Sequence, residues 1–142
     1  MKNNHTLIIG SGIVGATLAL KLAQDKMPVT LIDARPERDE SAWQDILSKR
    51  DARVYALSMA SINLLKDISA WQHITVSKRK ADYSQMQVWQ LNGMGELLFG
   101  ESEDSGAEDN SSKNYEPILL GSMVEPAVIE HALWQRLHEA DV

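Results

Sequence analysis

The chain of 142 residues is long enough for one domain with a buried core and too short for two domains of ordinary size. Its formal net charge of −6 argues against a nucleic-acid partner, because a phosphate backbone requires a basic surface. The chain has no cysteine, which excludes disulfides, thiolate metal sites and cysteine nucleophiles. Its four histidines are scattered, so we predict no metal site.

An apolar strand and three glycines open the chain. Residues 6–10 have the sequence Thr-Leu-Ile-Ile-Gly, and Gly10, Gly12 and Gly15 have G-x-G-x-x-G spacing. This spacing predicts a tight turn at Gly10, a close approach of a pyrophosphate at Gly12, and close helix–strand packing at Gly15. We predict a helix over about residues 13–25, whose first-turn N–H groups and dipole favour a diphosphate.

A second predicted strand, residues 28–33, ends in the carboxylate of Asp33. Asp33 lies eighteen residues after Gly15, where an acceptor can bind both ribose hydroxyls of an adenosine. Two other interpretations stay open. The apolar stretch imitates a secretory signal, although its glycines and the following Lys21 argue against one, and a turn of this kind can also bind nothing. We interpret the opening as a dinucleotide-binding βαβ unit.

Beyond the second strand the apolar pattern weakens. Residues 34–52 are highly charged and predict at most a short helix around residues 41–47. Apolar residues at helical spacing then predict a second helix over about residues 58–68, with Ser58 or Ser61 as its N-cap.

The second half of the chain changes to a period of two. This alternation predicts a β-hairpin over residues 83–99, around a glycine-rich turn at residues 92–95. Residues 101–114 have almost no apolar side chain and predict a mobile surface loop. A short strand is predicted at residues 117–120, and a third helix begins near Pro126.

Four stretches, taken in order, resemble flavin-dependent aromatic hydroxylases. Residues 51–58, Asp-Ala-Arg-Val-Tyr-Ala-Leu-Ser, are similar to that family's D-x-R-x-x-A-L-S pattern. The likeness continues through residues 86–89, 120–125 and 132–137, and so covers nearly the whole chain. It is strongest with the ubiquinone-biosynthesis branch, the 2-polyprenylphenol and 6-methoxyphenol hydroxylases.

The resemblance implies FAD rather than NAD at the glycine turn. It places the FAD pyrophosphate on the backbone of Gly10, Ser11, Gly12, Ile13, Val14 and Gly15. Asp33, followed by Ala34, would bind the adenosine ribose. Arg53 would approach the pyrophosphate and ribityl side of the flavin, where the guanidinium fork suits phosphate oxygens. The structural alternative for Arg53 is a surface ion pair with Asp51 or Glu37.

The implied fold is α/β, a Rossmann-like FAD-binding βαβ unit with a β-hairpin from the start of a substrate domain. We assign residues 1–80 to the region that binds the ADP moiety. Residues 81–122 form the hairpin and the acidic loop, and residues 123–142 form a helix that returns to the FAD domain. One βαβ unit makes a thin sheet, so we expect the domain to be incomplete.

The implied activity is that of a monooxygenase in ubiquinone biosynthesis. NAD(P)H would reduce the flavin, and the reduced flavin would activate oxygen for hydroxylation of an electron-rich phenol ring. We nominate no side chain as a catalytic group, because the groups that would hold the flavin ring are expected beyond residue 142. We therefore expect activity from a full-length protein and none from these residues alone.

The expected partner is a small aromatic, prenylated substrate, and the expected location is cytoplasmic. Peripheral association with the inner membrane face or with a biosynthetic complex stays open, as does oligomer formation. Two alternative functions also stay open, an NAD(P)-dependent Rossmann oxidoreductase and a non-catalytic nucleotide-binding fragment. A dehydrogenase would continue to a third parallel strand soon after Asp33, whereas this sequence continues to the Arg53 segment and a hairpin.

Overall fold

The computed structural model describes residues 5–100 and 118–140. In chain order these residues form β1 (Thr6–Ile9), α1 (Ile13–Gln24), β2 (Val29–Ile32), α2 (Glu40–Ser48), β3 (Tyr55–Ser58), α3 (Met59–Asp67), α4 (Trp71–Val76), β4 (Lys80–Tyr83), β5 (Met86–Trp89), β6 (Glu96–Phe99), β7 (Gly121–Val124) and α5 (Pro126–Glu139). The strands make a parallel β1–β2 pair, an antiparallel β3–β7–β4 sheet and the β5–β6 hairpin. The predicted mixed α/β architecture is confirmed.

The first three elements form the predicted strand–helix–strand unit. β1 and β2 pair in parallel, from Thr6 opposite Val29 to Ile9 opposite Ile32. Parallel neighbours require a crossover, and α1 supplies it. Successive side chains of a strand point to opposite faces. Ile8 is buried, whereas Leu7 and Ile9 lie on the other face of the pair and are exposed.

The core lies where α5 packs against α1 and α4, and where α3 packs against α4 and β7. Its large buried side chains come from these helices, from β7 and from the end of α3: Leu20, Leu65, Ile68, Ile74, Val124, Ile129 and Leu133. Each aliphatic side chain of this size stabilises the fold by about 1.5–3 kcal/mol when it leaves water. α5 begins at Pro126 as predicted, because proline at the first helical position sacrifices no intrahelical hydrogen bond.

The short helix is present as α2, and the second helix is present as α3, with the Ser58 hydroxyl accepting from the Ser61 N–H at 3.3 Å. The hairpin is confirmed, with Met86 opposite Phe99 and Trp89 opposite Glu96. The loop predicted at residues 101–114 lies outside the described residues.

The three-stranded sheet differs from the sequence prediction. β3, α4 and β4 were not predicted, and the strand expected at residues 117–120 is found at Gly121–Val124 instead. β7 lies in the centre, where Gly121 is opposite both Ser58 and Tyr83. A Cβ on Gly121 would lie 2.1 Å from the Leu57 carbonyl oxygen, so this position accepts only glycine. The pairing with two distant strands, rather than local apolar content, therefore sets the register. The domain boundaries at residues 80 and 122 stay predictions.

Candidate functional site

The turn between β1 and α1 is open towards solvent at its second glycine. Gly10 has φ +105°, a left-handed conformation that favours glycine, and its N–H donates to the Ile32 carbonyl at 2.6 Å. Gly12 is the N-cap of α1, and a Cβ built on it would meet no atom within 4 Å. The space in front of Gly12 can therefore admit a ligand to the backbone.

The third glycine brings the helix against the strand. A Cβ on Gly15 would lie 1.8 Å from the Gly10 carbonyl oxygen and 3.4 Å from Cγ2 of Ile8. No side chain fits in that space unless α1 moves away from β1. The three glycines thus occupy a turn, an open approach and a close helix–strand contact, while cofactor contacts at these residues stay a prediction.

The first turn of α1 offers backbone donors. In an α-helix the first N–H groups have no carbonyl partner within the helix. Here the Ala16 N–H donates to the Gly12 carbonyl at 2.9 Å, which is the first hydrogen bond of the helical series. The N–H groups of Ile13, Val14 and Gly15 precede it in the helix. Together with the helix dipole, these donors favour an anion in front of Gly12.

Asp33 lies directly beyond β2 and is bonded back to the glycine turn. Its Oδ2 accepts from the backbone N–H and from the hydroxyl of Ser11, each at 2.7 Å. Its Oδ1 accepts from the backbone N–H of Arg35 at 2.8 Å and from Nε at 3.1 Å. The hydrogen bonds from Arg35, and then those from Ser11, hold the pKa of Asp33 well below its usual value. Asp33 is therefore an anionic acceptor at any physiological pH.

Arg35 is a site residue that the sequence analysis missed. Its guanidinium lies over the Asp33 carboxylate, which is the group expected to accept the ribose hydroxyls. The Arg35 side chain is half exposed, so it can exchange this ion pair for solvent when a ligand arrives. The available signal was a cation two residues after a strand-terminal carboxylate, the spacing of an Asx turn.

A cleft of about 280 Å³ adjoins Asp33 between the end of β2, α2 and α5. Its wall includes two tryptophans, of which Trp43 is buried, and the Arg38 guanidinium lies 4.8 Å from the Trp43 ring centre. Trp134 packs edge-on against His138, with ring centres 4.4 Å apart. Such a wall, apolar and aromatic with charged groups at the rim, suits a planar heteroaromatic ring.

Arg53 forms the surface ion pair that was the structural alternative. The Asp51 carboxylate accepts from the Arg53 backbone N–H at 2.9 Å and from Nη2 at 2.9 Å, and the Arg53 side chain is 80% exposed. The second alternative partner, Glu37, instead pairs with His138 at 2.8 Å. Arg53 is not among the residues that line the cleft beside Asp33.

Glu130 places a further carboxylate on the wall of the cleft. This carboxylate lines the cleft and pairs with Arg38 at 3.7 Å. The pKa of Arg53 is raised mainly by its hydrogen bond to Asp51, and Glu130 adds a smaller part. The pKa of Arg35 is raised mainly by Asp33, again with a smaller part from Glu130.

A buried carboxylate, Glu125, was also missed by the sequence analysis. It is the N-cap residue of α5, its side chain is 7% exposed, and it accepts hydrogen bonds from Arg79, Arg50 and the Asp51 N–H. The Arg79 guanidinium is the largest cause that lowers the pKa of Glu125, to about 2. Its partners are distant along the chain, so no local pattern could have indicated them.

Metal ligation has no support in the described part of the chain. Residues 5–100 and 118–140 contain no group of three or more His, Cys, Asp or Glu side chains that could hold an ion. Within the same ranges, every helix is too short or too polar to cross a membrane.

Sequence comparison indicates which proteins this chain resembles. No family model matches the chain. It is 35% identical over 130 residues to 3-demethoxyubiquinol 3-hydroxylase of Escherichia coli (strain K12), an alignment that covers 92% of this chain and 29% of that protein. The chain is a partial homologue of the ubiquinone-biosynthesis hydroxylases. The family resemblance inferred from the sequence is thereby confirmed.

Two further relatives are named as ubiquinone biosynthesis monooxygenases. The chain is 28% identical over 135 residues to the mitochondrial ubiquinone biosynthesis monooxygenase COQ6 of Rattus norvegicus, covering 92% of this chain and 25% of the relative. It is 37% identical over 94 residues to the Drosophila melanogaster protein of that name, an alignment that covers 61% of this chain and 18% of the relative. The chain therefore spans less than a third of the length of these relatives.

One solved structure shares the fold of this chain. A solved peptidyl tryptophan dihydroxylase, QhpG, essential for tryptophylquinone cofactor biogenesis, matches 97% of this chain and 24% of its own with a TM-score of 0.53. The two sequences are 17% identical, so the match supports a shared fold and nothing finer.

Proposed function

We propose that this chain is the FAD-binding portion of an NAD(P)H-dependent flavoprotein monooxygenase. The whole protein would hydroxylate an aromatic ring of the polyprenylphenol type in ubiquinone biosynthesis. Homology to hydroxylases and monooxygenases of that pathway supports the oxidoreductase class. The relatives are more than three times as long, so this chain supplies only part of such an enzyme.

The observation that carries the proposal is the pairing of an open helix N-terminus with a fixed carboxylate. A dinucleotide needs donors for its pyrophosphate and an acceptor for its ribose. The open face at Gly12 offers the donors, and Asp33, bonded to Ser11 at 2.7 Å, offers the acceptor. The adjoining cleft of about 280 Å³ has room for the adenine ring beside Arg38 and Trp43.

The chain's own residues would bind and orient the cofactor rather than perform proton transfer. Gly12 would admit the pyrophosphate, and Asp33 would accept from the ribose hydroxyls once Arg35 moves aside. Arg53 would add positive charge on the pyrophosphate side. Bound FAD would supply the redox chemistry, accepting reducing equivalents from NAD(P)H and activating oxygen. We assign no acid, base or nucleophile in these residues.

The arrangement of the sheets favours this proposal over a dehydrogenase. After β2 the described chain continues through α2 into the antiparallel β3–β7–β4 sheet. Within residues 5–100 and 118–140, β1 and β2 have no third parallel neighbour. A dinucleotide-binding dehydrogenase would place its next strand in that parallel sheet.

Ligand titration of the purified chain tests the proposal. We expect FAD and ADP to compete for one weak site, detected by flavin fluorescence, and FMN to show no competition because it lacks the ADP moiety. We also expect that FAD is not retained through purification and that the chain alone gives no hydroxylated phenol. Absence of ADP and FAD binding by the folded chain would refute the proposed function.

A further inference from the structure

Three segments of the chain meet at the Glu125 carboxylate. Arg79 immediately precedes β4. Its Nε–H donates a hydrogen bond to Glu125 Oε1 at 3.0 Å, and its Nη2 donates one to Oε2. Arg50 donates Nη1 to Oε1 at 3.0 Å, and the Asp51 backbone N–H donates to Oε2 at 2.9 Å. The residues after α2 are thereby held against the start of α5.

Arg79 also donates to backbone carbonyl groups in the segment that follows α2. Its Nη1 donates to the Leu47 carbonyl, and its Nη2 donates to the Lys49 carbonyl at 2.9 Å. The side chain is 13% exposed, so its charge needs these acceptors. One guanidinium therefore fixes the backbone at residues 47 and 49, while Glu125 fixes it at residue 51.

The path from this cluster leads directly to Arg53. The Asp51 N–H is bonded to Glu125, and the Asp51 carboxylate is bonded to Arg53 through its backbone N–H at 2.9 Å and through Nε at 3.2 Å. Arg53 is highly exposed, so its conformation is held by Asp51 rather than by packing. A change in the position of the Asp51 backbone would therefore move the Arg53 guanidinium.

Stability alone is a weak reason for a buried ion pair. An apolar pair of similar volume at such a place is often equally stable or more stable, because both charges must leave water. What a charged cluster adds is a defined geometry, set by the directions of its hydrogen bonds. Here that geometry is transmitted along two bonds to an exposed arginine.

We propose that Glu125 and Arg79 are positioning residues that hold Arg53 ready for the phosphates of a bound dinucleotide. The inference rests on the proposed function, since it takes Arg53 to contact the pyrophosphate. An arginine already held in place loses less conformational entropy when it binds a phosphate. Disturbing Glu125 should therefore weaken phosphate recognition more than recognition of the nucleoside.

The test compares ADP with adenosine, which lacks the phosphates. We expect Arg53→Gln to weaken ADP binding about tenfold, as loss of a charged hydrogen bond does, and to leave adenosine binding unchanged. Glu125→Gln should weaken ADP binding in the same selective way. The double variant should bind ADP no more weakly than Arg53→Gln, because Glu125 acts through Arg53. Glu139→Gln, at the other end of α5 and half exposed, is the matched control and should change neither affinity.

The outcomes separate this inference from the proposed function. If the wild-type chain binds neither ligand, the proposed function is wrong and the inference falls with it. If the wild type binds both and Glu125→Gln weakens them equally, or if the two substitutions are additive, only the positioning role is wrong. Should Glu125→Gln fail to fold, Arg50→Gln removes one largely exposed donor from the same carboxylate. A selective loss of ADP binding in that variant supports the inference, and unchanged binding overturns it.

Discussion

The carboxylate of Asp33 accepts two hydrogen bonds from Ser11, one from the backbone N–H and one from the hydroxyl, each at 2.7 Å. These bonds join the end of β2 to the glycine turn, so the Asp33 carboxylate and the backbone donors at the start of α1 form one unit. They also occupy the Ser11 N–H, which leaves the donors from Gly12 onward for a phosphate. The position of the Asp33 carboxylate relative to these donors is therefore fixed without a ligand, and only the Arg35 side chain has to move.

Replacing Asp33 tests the acceptor directly. Asp33→Asn should weaken adenosine binding about tenfold or more, because the amide is uncharged and its NH2 group cannot accept a hydrogen bond. The measurement is an adenosine titration at constant temperature. Asp25→Asn, at the C-terminal end of α1, is the control and should bind as the wild type does. Equal affinities of Asp33→Asn and the control would exclude Asp33 from the nucleoside site.

Alanine should destabilise the fold at Gly15 and weaken ADP binding at Gly12. Gly15→Ala places a Cβ against the Gly10 carbonyl and should lower the free energy of unfolding by about 1–3 kcal/mol or more. Gly12→Ala meets open space at φ −66° and should cost less than about 1 kcal/mol, the loss expected at an N-cap. Its effect should fall on ADP binding, because the methyl group blocks the approach to the backbone. Urea unfolding and ADP titration of both variants measure the contrast; a stable Gly15→Ala would contradict it.

Local sequence signals predicted the elements that local physics determines. The βαβ unit follows from glycine spacing, apolar periodicity and a terminal carboxylate, and α5 follows from Pro126 and its apolar stripe. β3 and β4 have four residues each and exist because both pair with β7, as at Leu57 and Asp82, which lie opposite Ser122. α4 follows a turn in which Ser69 has φ +61°, a conformation that this residue type does not signal.

The candidate site divides in the same way. Gly10, Gly12, Gly15 and Asp33 lie in one continuous motif, so their spacing was sufficient to nominate them, and their role in binding stays a prediction. The Arg79–Glu125 ion pair joins residues 46 positions apart, and the Arg50–Glu125 pair joins residues 75 apart. Such pairs form only once β4, β7 and α5 have assembled, and a single sequence carries no signal of that assembly.

The Glu125 carboxylate should make the free energy of unfolding depend on pH in the acid range. Its pKa is lowered from the usual 4.5 to about 2, first by Arg79, so the folded state binds this proton less readily than the unfolded state. The stabilisation is therefore fully present above pH 4.5 and is lost as the pH falls through about 2. In urea unfolding over this interval, Glu125→Gln should lose less stability than the wild type. Parallel pH profiles would show that the Glu125 carboxylate does not contribute.

Trp43 should tolerate a smaller aromatic ring better than its burial suggests. The side chain is 3% exposed, and within the described residues its indole N–H has no hydrogen-bond partner. Trp43→Ala should cost about 3–5 kcal/mol, as large aromatic deletions do. Trp43→Phe keeps a ring against Trp134 and removes the unpaired donor, so it should cost less than about 1.5 kcal/mol. Urea unfolding compares the two variants, and a loss for Trp43→Phe as large as that for Trp43→Ala would contradict the prediction.

Arg35 should compete with the nucleoside for Asp33. Its Nε and Nη2 lie 3.1 and 3.3 Å from the two carboxylate oxygens, which are the atoms that ribose hydroxyls would use. In Arg35→Ala the backbone N–H of residue 35 still holds Oδ1, but the guanidinium is gone. Adenosine should therefore bind more tightly, by up to about fivefold, the factor that an exposed ion pair is worth. Lys66→Ala, which removes an exposed cation of α3 outside the cleft and leaves the Asp33 pair intact, should not show this gain. A weaker affinity of Arg35→Ala for adenosine would mean that the guanidinium contacts the nucleoside instead of blocking it.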